Sequence, residues 1–123
     1  MVETFCTSGS VKLKAGENVS TALTPAQYTE LINQAESALN MEAKISGVDL
    51  VANYTSYDAD ARKVLEDGAS SHAAVSAIAY APSGYSKIGE AAFIANVNWT
   101  RYLDVVRKIK DKTYTDWLTS TIA

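Results

Sequence analysis

The chain has 123 residues, 47% hydrophobic and 20% charged, with a net charge of −3 and a pI near 5.0. That is one domain's worth, long enough to bury a core and too apolar for a disordered segment. The acidic balance is not the basic footprint of a free-standing nucleic-acid binder, and the single Cys6 excludes an intrachain disulfide.

Charge is unevenly placed. Residues 1–61 carry three Lys/Arg against eight Asp/Glu, and residues 62–123 carry eight against six. Most of the positive charge falls between Arg101 and Lys112, where Arg107, Lys108, Lys110 and Lys112 crowd together. At a helix end such a run offsets the helix dipole; the alternative is a docking patch for an acidic partner.

In chain order, "MVETFCTSGS" lacks the basic start and apolar run of a secretion signal. "SVKLKAGENVS" alternates Val11, Leu13 and Ala15 with Lys12, Lys14 and Gly16, which predicts a strand-like segment with "AGEN" as its turn. Residues 1–23 are therefore expected to be an extended N-terminal arm needing a partner surface.

"TALTPAQYTE" opens the first helix. Thr24 fits the N-cap, Pro25 the first helical position, and Gln27 completes a capping box. Tyr28, Leu31, Ile32, Ala35, Leu39 and Glu42 follow helical spacing, with Glu30, Asn33, Gln34 and Glu36 largely opposite. The helix is predicted to run from Pro25 to Lys44, with Gly47 as a turn residue in "ISGVDL".

"VANYTSYDADARKV" reads as a connector entering a second helix capped by Asp58, with Asp60 in its first turn. Its apolar face runs Ala61, Val64, Leu65, Gly68, Val75 and Ala79, with His72 in the stripe; Pro82 ends it near Ala81. From Gly68 to Ser86 there is no charged residue, but the five serines, the histidine and the lack of large aliphatics argue against a membrane span. Gly68, Ala69, Ala73, Ala74, Ala77 and Ala81 instead predict a helix approached closely from several sides, with a neighbouring subunit expected to share in covering it.

Ser86 could cap the third helix, whose buried side is predicted as Ile88, Ala92, Ala95, Trp99, Tyr102, Val106 and Ile109, ending near Lys112. "KTYTDWLTSTIA" adds a short terminal turn. The expected fold is all-α: a three-helix, bundle-like domain over 24–112, an arm over 1–23 and a tail over 113–123.

No arrangement of residues predicts catalysis. Ser71 and His72 are adjacent on a helix and point in different directions, and His72 is expected to be a core or interface residue with its ring satisfied. The carboxylate pairs Asp58/Asp60 and Glu66/Asp67 read as a helix start and a solvent face. One cysteine and one histidine make no zinc cluster, the glycines form no phosphate loop, and no cofactor is expected. Tyr54, Tyr57, Tyr80 and Tyr85 flank the second helix, as core lids or interface residues. Phe5, Val11 and Leu13 at one end and Tyr114, Trp117 and Leu118 at the other are the candidate partner-binding residues, as large apolar groups in weakly structured termini.

The order of features resembles the small helical head–tail connector (adaptor) proteins of tailed bacteriophages. The resemblance rests on "INQAESALN" in the first helix, "DGASSHAAVSAIAY" in the second, the break "APSGYSKIGEAA", and "FIANVNWTRYLDVVRKIKD" in the third, over Thr24 to Lys112. It implies a homo-oligomeric ring, commonly twelvefold, beneath the portal protein in the virion neck, extending the DNA channel and presenting a surface to the next neck or tail protein. DNA would pass through without sequence-specific binding, and no membrane is involved. No functional motif is shared, so no catalytic residue carries over, and the arm before the first helix has no counterpart. The alternative is a small bacterial helical binding module or regulator acting through the basic end of the third helix.

Overall fold

A computed structural model describes residues 4–16, 23–80 and 88–120. Among these the domain is all-α and bundle-like. Helix α1 spans Ser8–Ala15, α2 Pro25–Ile45, α3 Leu50–Asn53, α4 Ala59–Tyr80, α5 Ile88–Lys110 and α6 Lys112–Ser120, with a 3₁₀ turn over Tyr54–Ser56. The three long helices stand close to their predicted bounds. Pro82, Ser86 and Tyr85, and the "EN" of the expected turn after α1, lie outside the described residues.

The start of α2 is the capping box read from the sequence. Gln27 N–H donates to Thr24 Oγ1 at 3.2 Å, and Thr24 N–H to Gln27 Oε1 at 2.9 Å. Ser46 N–H donates to the Ala43 carbonyl and Gly47 N–H to the Lys44 carbonyl, each at 2.9 Å, and Gly47 turns the chain at φ +84°. Asp58 caps α4, its carboxylate accepting Asp60 N–H at 2.8 Å. The short helix α3, unforeseen in the connector, is held by Asp49, which accepts Ala52 N–H at 3.0 Å and Asn40 Nδ2 at 3.1 Å. Those bonds keep the Asp49 carboxyl below its ordinary range.

The predicted strand is instead helix α1. Thr7 caps it by accepting Ser10 N–H at 3.4 Å, and Gly16, at φ +89°, ends it with its N–H on the Lys12 carbonyl. Val11 and Ala15 are four apart, so they share a face in a helix as they do in a strand, and both are fully buried. Leu13 separates the two cases. A strand would put it beside them; the helix turns it away, and it is 84% exposed.

Helix α4 is the central element, packed against α1, α2 and α5. Gly68, Ala69, Ser70, Ser71, Ala73, Ala74 and Ala77 are buried there, while Val75 is half-buried and Ala79 exposed. The plain composition therefore serves close approach within one chain: α1 covers the side that was expected to need a neighbouring subunit. The accessible surface of 6812 Å² is near the ~6,400 Å² expected of a compact monomer of this mass.

Docking of α1 also rotates the buried stripes of its neighbours. On α5 the buried side runs Ala91, Asn98, Tyr102, Val105, Val106 and Ile109, while Ala92 is exposed and Trp99 is 42% exposed, so Trp99 is not the core residue predicted. On α2, Asn33 and Glu36 are buried rather than solvated, and the segment before α1 lies over Glu36. Glu36 accepts the backbone N–H groups of Thr4 (2.9 Å) and Phe5 (2.5 Å).

Candidate interaction surface

The six residues expected to meet partners divide into core and surface. Phe5 is 2% exposed, and Val11 and Leu118 are fully buried. Phe5 stacks on Tyr54 with ring centroids 5.0 Å apart, and Tyr54 Oη donates to the Phe5 carbonyl at 3.3 Å. These three side chains hold the ends of the chain onto their own domain and are unavailable to a partner. Val11 and Leu118 lie in α1 and α6 and fill the buried faces of those helices, while Phe5 packs from the segment before α1.

The other three remain at the surface to different degrees. Leu13 and Trp117 are exposed, while Tyr114 is half-buried. Tyr114 and Trp117 lie with ring centroids 6.1 Å apart on α6, which begins where Asp111 accepts Thr113 N–H at 2.9 Å. Burial pushes the Tyr114 phenol above its ordinary value.

Leu13 belongs to a different surface. It borders a cleft of about 340 Å³ with Lys14, Phe93, Ile94, Val97, Asn98 and Arg101. A polar network fixes its position: Lys14 Nζ donates to the Asp67 carbonyl at 2.8 Å, to the Asp67 carboxylate and to Ser71 Oγ at 2.9 Å. Asn98 Nδ2 in turn donates to the Lys14 carbonyl at 3.0 Å and the Ile94 carbonyl at 3.1 Å. Asn98 thus caps the end of α1 from the side of α5.

Beyond this cleft the outer face of α5 carries Phe93 (68% exposed), Val97, Trp99 and Leu103. At 100° per residue Phe93 and Leu103, with Asn96 and Thr100, occupy the side opposite Ala91, Asn98, Val105 and Ile109, and Val97 and Trp99 lie at its two edges. Glu90 and Arg101 flank the run, so the exposed positions from Ala92 to Thr100 are uncharged. The sequence reading missed this face by placing Trp99 in the core. The available signal was Phe93–Val97–Thr100 at i, i+4, i+7, a second apolar stripe on the helix.

The cations at the basic end are matched by acids. Arg107 and Lys108 both lie beside Asp104, Lys110 is 3.7 Å from Glu42, and Arg101 is 3.6 Å from Asp67. These pairs are exposed, each contributing about 0–1 kcal/mol.

Between α4 and α5, His72 packs edge-on to Tyr102 with centroids 4.8 Å apart and lies 6.0 Å from Trp99. Its Nδ1 is buried without a hydrogen-bond partner among the described residues, so the ring is not satisfied as expected. Burial lowers its pKa, favouring the neutral ring.

A second cleft, about 480 Å³, is lined by Thr4, Glu36, Asn40, Lys44, Asp49 and Val51. Its polar groups are engaged in holding the chain: Glu36 binds the N-terminal segment, and Asn40 accepts Leu50 N–H at 2.7 Å. Among the described residues no group of three or more His, Cys, Asp or Glu could hold a metal ion, and no helix is long and apolar enough to cross a membrane. No family model, curated protein or solved structure matches the chain.

Proposed function

We propose that this protein is a structural subunit of a phage particle, a head–tail connector that assembles as a ring beneath the portal, twelvefold symmetry being what the resemblance implies. The order of its helices supports the reading, and one observation carries it: the uncharged outer face of α5, continued by Leu13, is an apolar surface on a domain that already buries its own core. Large exposed apolar patches of this kind mark protein–protein contacts. In this reading the α5 face and Leu13 meet protein neighbours, and Trp117 offers a second contact on α6. The acidic balance suits a channel wall along which DNA slides.

The test is the copy number of the chain in purified particles from its source, by quantitative mass spectrometry against the portal protein. A ratio near one to one, kept after tail removal, is expected. Absence from particles overturns the reading and shifts weight to the binding-module alternative. That alternative is the less favoured because Arg101, Arg107, Lys108 and Lys110 each have an acid within reach in the same chain. It predicts binding that weakens with salt and on neutralising Arg107, Lys108, Lys110 and Lys112.

A further inference from the structure

We infer that in the free protein the outer face of α5 is covered by the same face of a second copy, the two helices running antiparallel about a two-fold axis near Thr100. The inference rests on the face itself and stands independently of the connector reading.

Area is the first argument. Leu13 is 84% exposed, Phe93 68%, Leu103 48%, and Val97 and Trp99 42% each. With about 150–200 Å² per large side chain, these five leave on the order of 500 Å² of apolar surface on each copy. A pair would cover on the order of 1,000 Å² from these residues alone, the threshold for a specific interface. Ala92, Asn96 and Thr100, between them and exposed, carry the contact further toward the ordinary size.

Charge favours one direction. The first half of α5, residues 88–100, holds one acid, Glu90; the second half, 101–110, holds four cations, which Asp104 on the same helix and Asp67 and Glu42 beside it offset in large part, leaving a small positive balance. Parallel packing would set the two basic ends side by side. Antiparallel packing lays each basic end over the acidic end of the other copy, and adds the favourable antiparallel alignment of helix dipoles. In that direction the spacing matches one apolar pair and one charge pair, and sets Phe93 and Trp99 opposite Arg107 and Arg101 of the second copy. About an axis at Thr100, Val97 meets Leu103 of the second copy, and Glu90 falls opposite Lys110. An isologous contact requires such a match, since one patch must serve both sides.

This pairing has a consequence for assembly. In a closed ring of more than two copies each subunit meets its neighbours through two different surfaces. A two-fold pair through α5 is therefore a state of the free chain that ring formation would have to open.

Sedimentation equilibrium of the full chain over a range of concentrations tests it. The expected result is a reversible shift from one chain to two. Leu103→Asp and Val97→Asp, each at an exposed position and each opposite an apolar residue of the second copy, should raise the dissociation constant at least about tenfold with the circular dichroism unchanged, because a charge would be buried at the seam. Direction is read by cross-linking. A Val97→Cys chain mixed with a Leu103→Cys chain should form a disulfide between the two, while Val97→Cys alone should not. A monomer at every concentration, an oligomer that survives Leu103→Asp, or a Val97→Cys chain that links to itself would each overturn the inference. None of these outcomes bears on the copy number in particles, so the two readings fail separately.

Discussion

Gly68 sits where α4 comes nearest to its neighbours. A Cβ placed there would lie 2.7 Å from Val105 Cγ1, 3.0 Å from Val105 Cβ and 3.2 Å from Leu39 Cδ1. In an exposed helix Gly→Ala gains about 1 kcal/mol. Here the added methyl meets a β-branched side chain with little rotamer freedom, so overpacking, at about 1–3 kcal/mol, outweighs that gain. Gly68→Ala should therefore lower the urea midpoint, and Val105→Ala in the same chain should restore part of the loss; a rise in midpoint on Gly68→Ala alone would contradict the packing. His72 makes a pH prediction. Its folded pKa lies below the ordinary 6.5, so the unfolded chain takes up the proton first. The neutral ring's contribution is present above 6.5 and is lost as pH falls through the lowered folded value. Thermal melts across this window should show stability falling with acid, and His72→Phe should reduce that slope.

At the scale of elements, α1 is held by few but specific contacts. Lys14 Nζ makes its three bonds from a side chain that is 15% exposed, and Ser71, one of the acceptors, is fully buried. Lys14→Met keeps the stem and removes the donor, which should cost about 1.5–3 kcal/mol for the lost charged hydrogen bonds. Asn98→Ala should act in the same direction through the carbonyl at the end of α1. Hydrogen exchange should show the effect locally, with 8–15 losing protection before α2, α4 and α5. Helix α6 is anchored by Leu118: Leu118→Ala should cost about 2–5 kcal/mol, as expected of a fully buried leucine.

For the molecule as a whole, the terminal segments belong to the core. Removing residues 1–16 would take away Phe5, Val11 and Ala15 and uncover the buried sides of α2 and α4. Each large side chain lost forfeits about 1.5–3 kcal/mol of burial. The truncated chain should be strongly destabilised in a denaturant melt, not a folded domain lacking an arm. A truncation that melts like the full chain would return these residues to the role of a free arm. The outer face of α5 behaves oppositely. Its substitutions should leave the melt of the isolated domain nearly unchanged and act on association.

Local chemistry on the chain determined the three long helices, because their signals lie within a few residues: the Thr24–Gln27 capping box, the Asp58 cap, and apolar spacing through α2, α4 and α5. It also determined that α4 is approached closely, since only small residues permit it. Tertiary structure alone decided what approaches. Val11 and Ala15 fit a strand or a helix equally well, and the balance is settled by the caps at Thr7 and Gly16 and by the Lys14–Asp67–Ser71 network, whose partners lie more than fifty positions away. Once α1 occupies that side, it turns the buried stripe of α5 toward Asn98 and leaves Phe93, Val97, Trp99 and Leu103 facing outward. The apolar surface was therefore only partly legible. A helix's sequence shows which residues are apolar, but which of two stripes is buried depends on where the neighbouring helix docks.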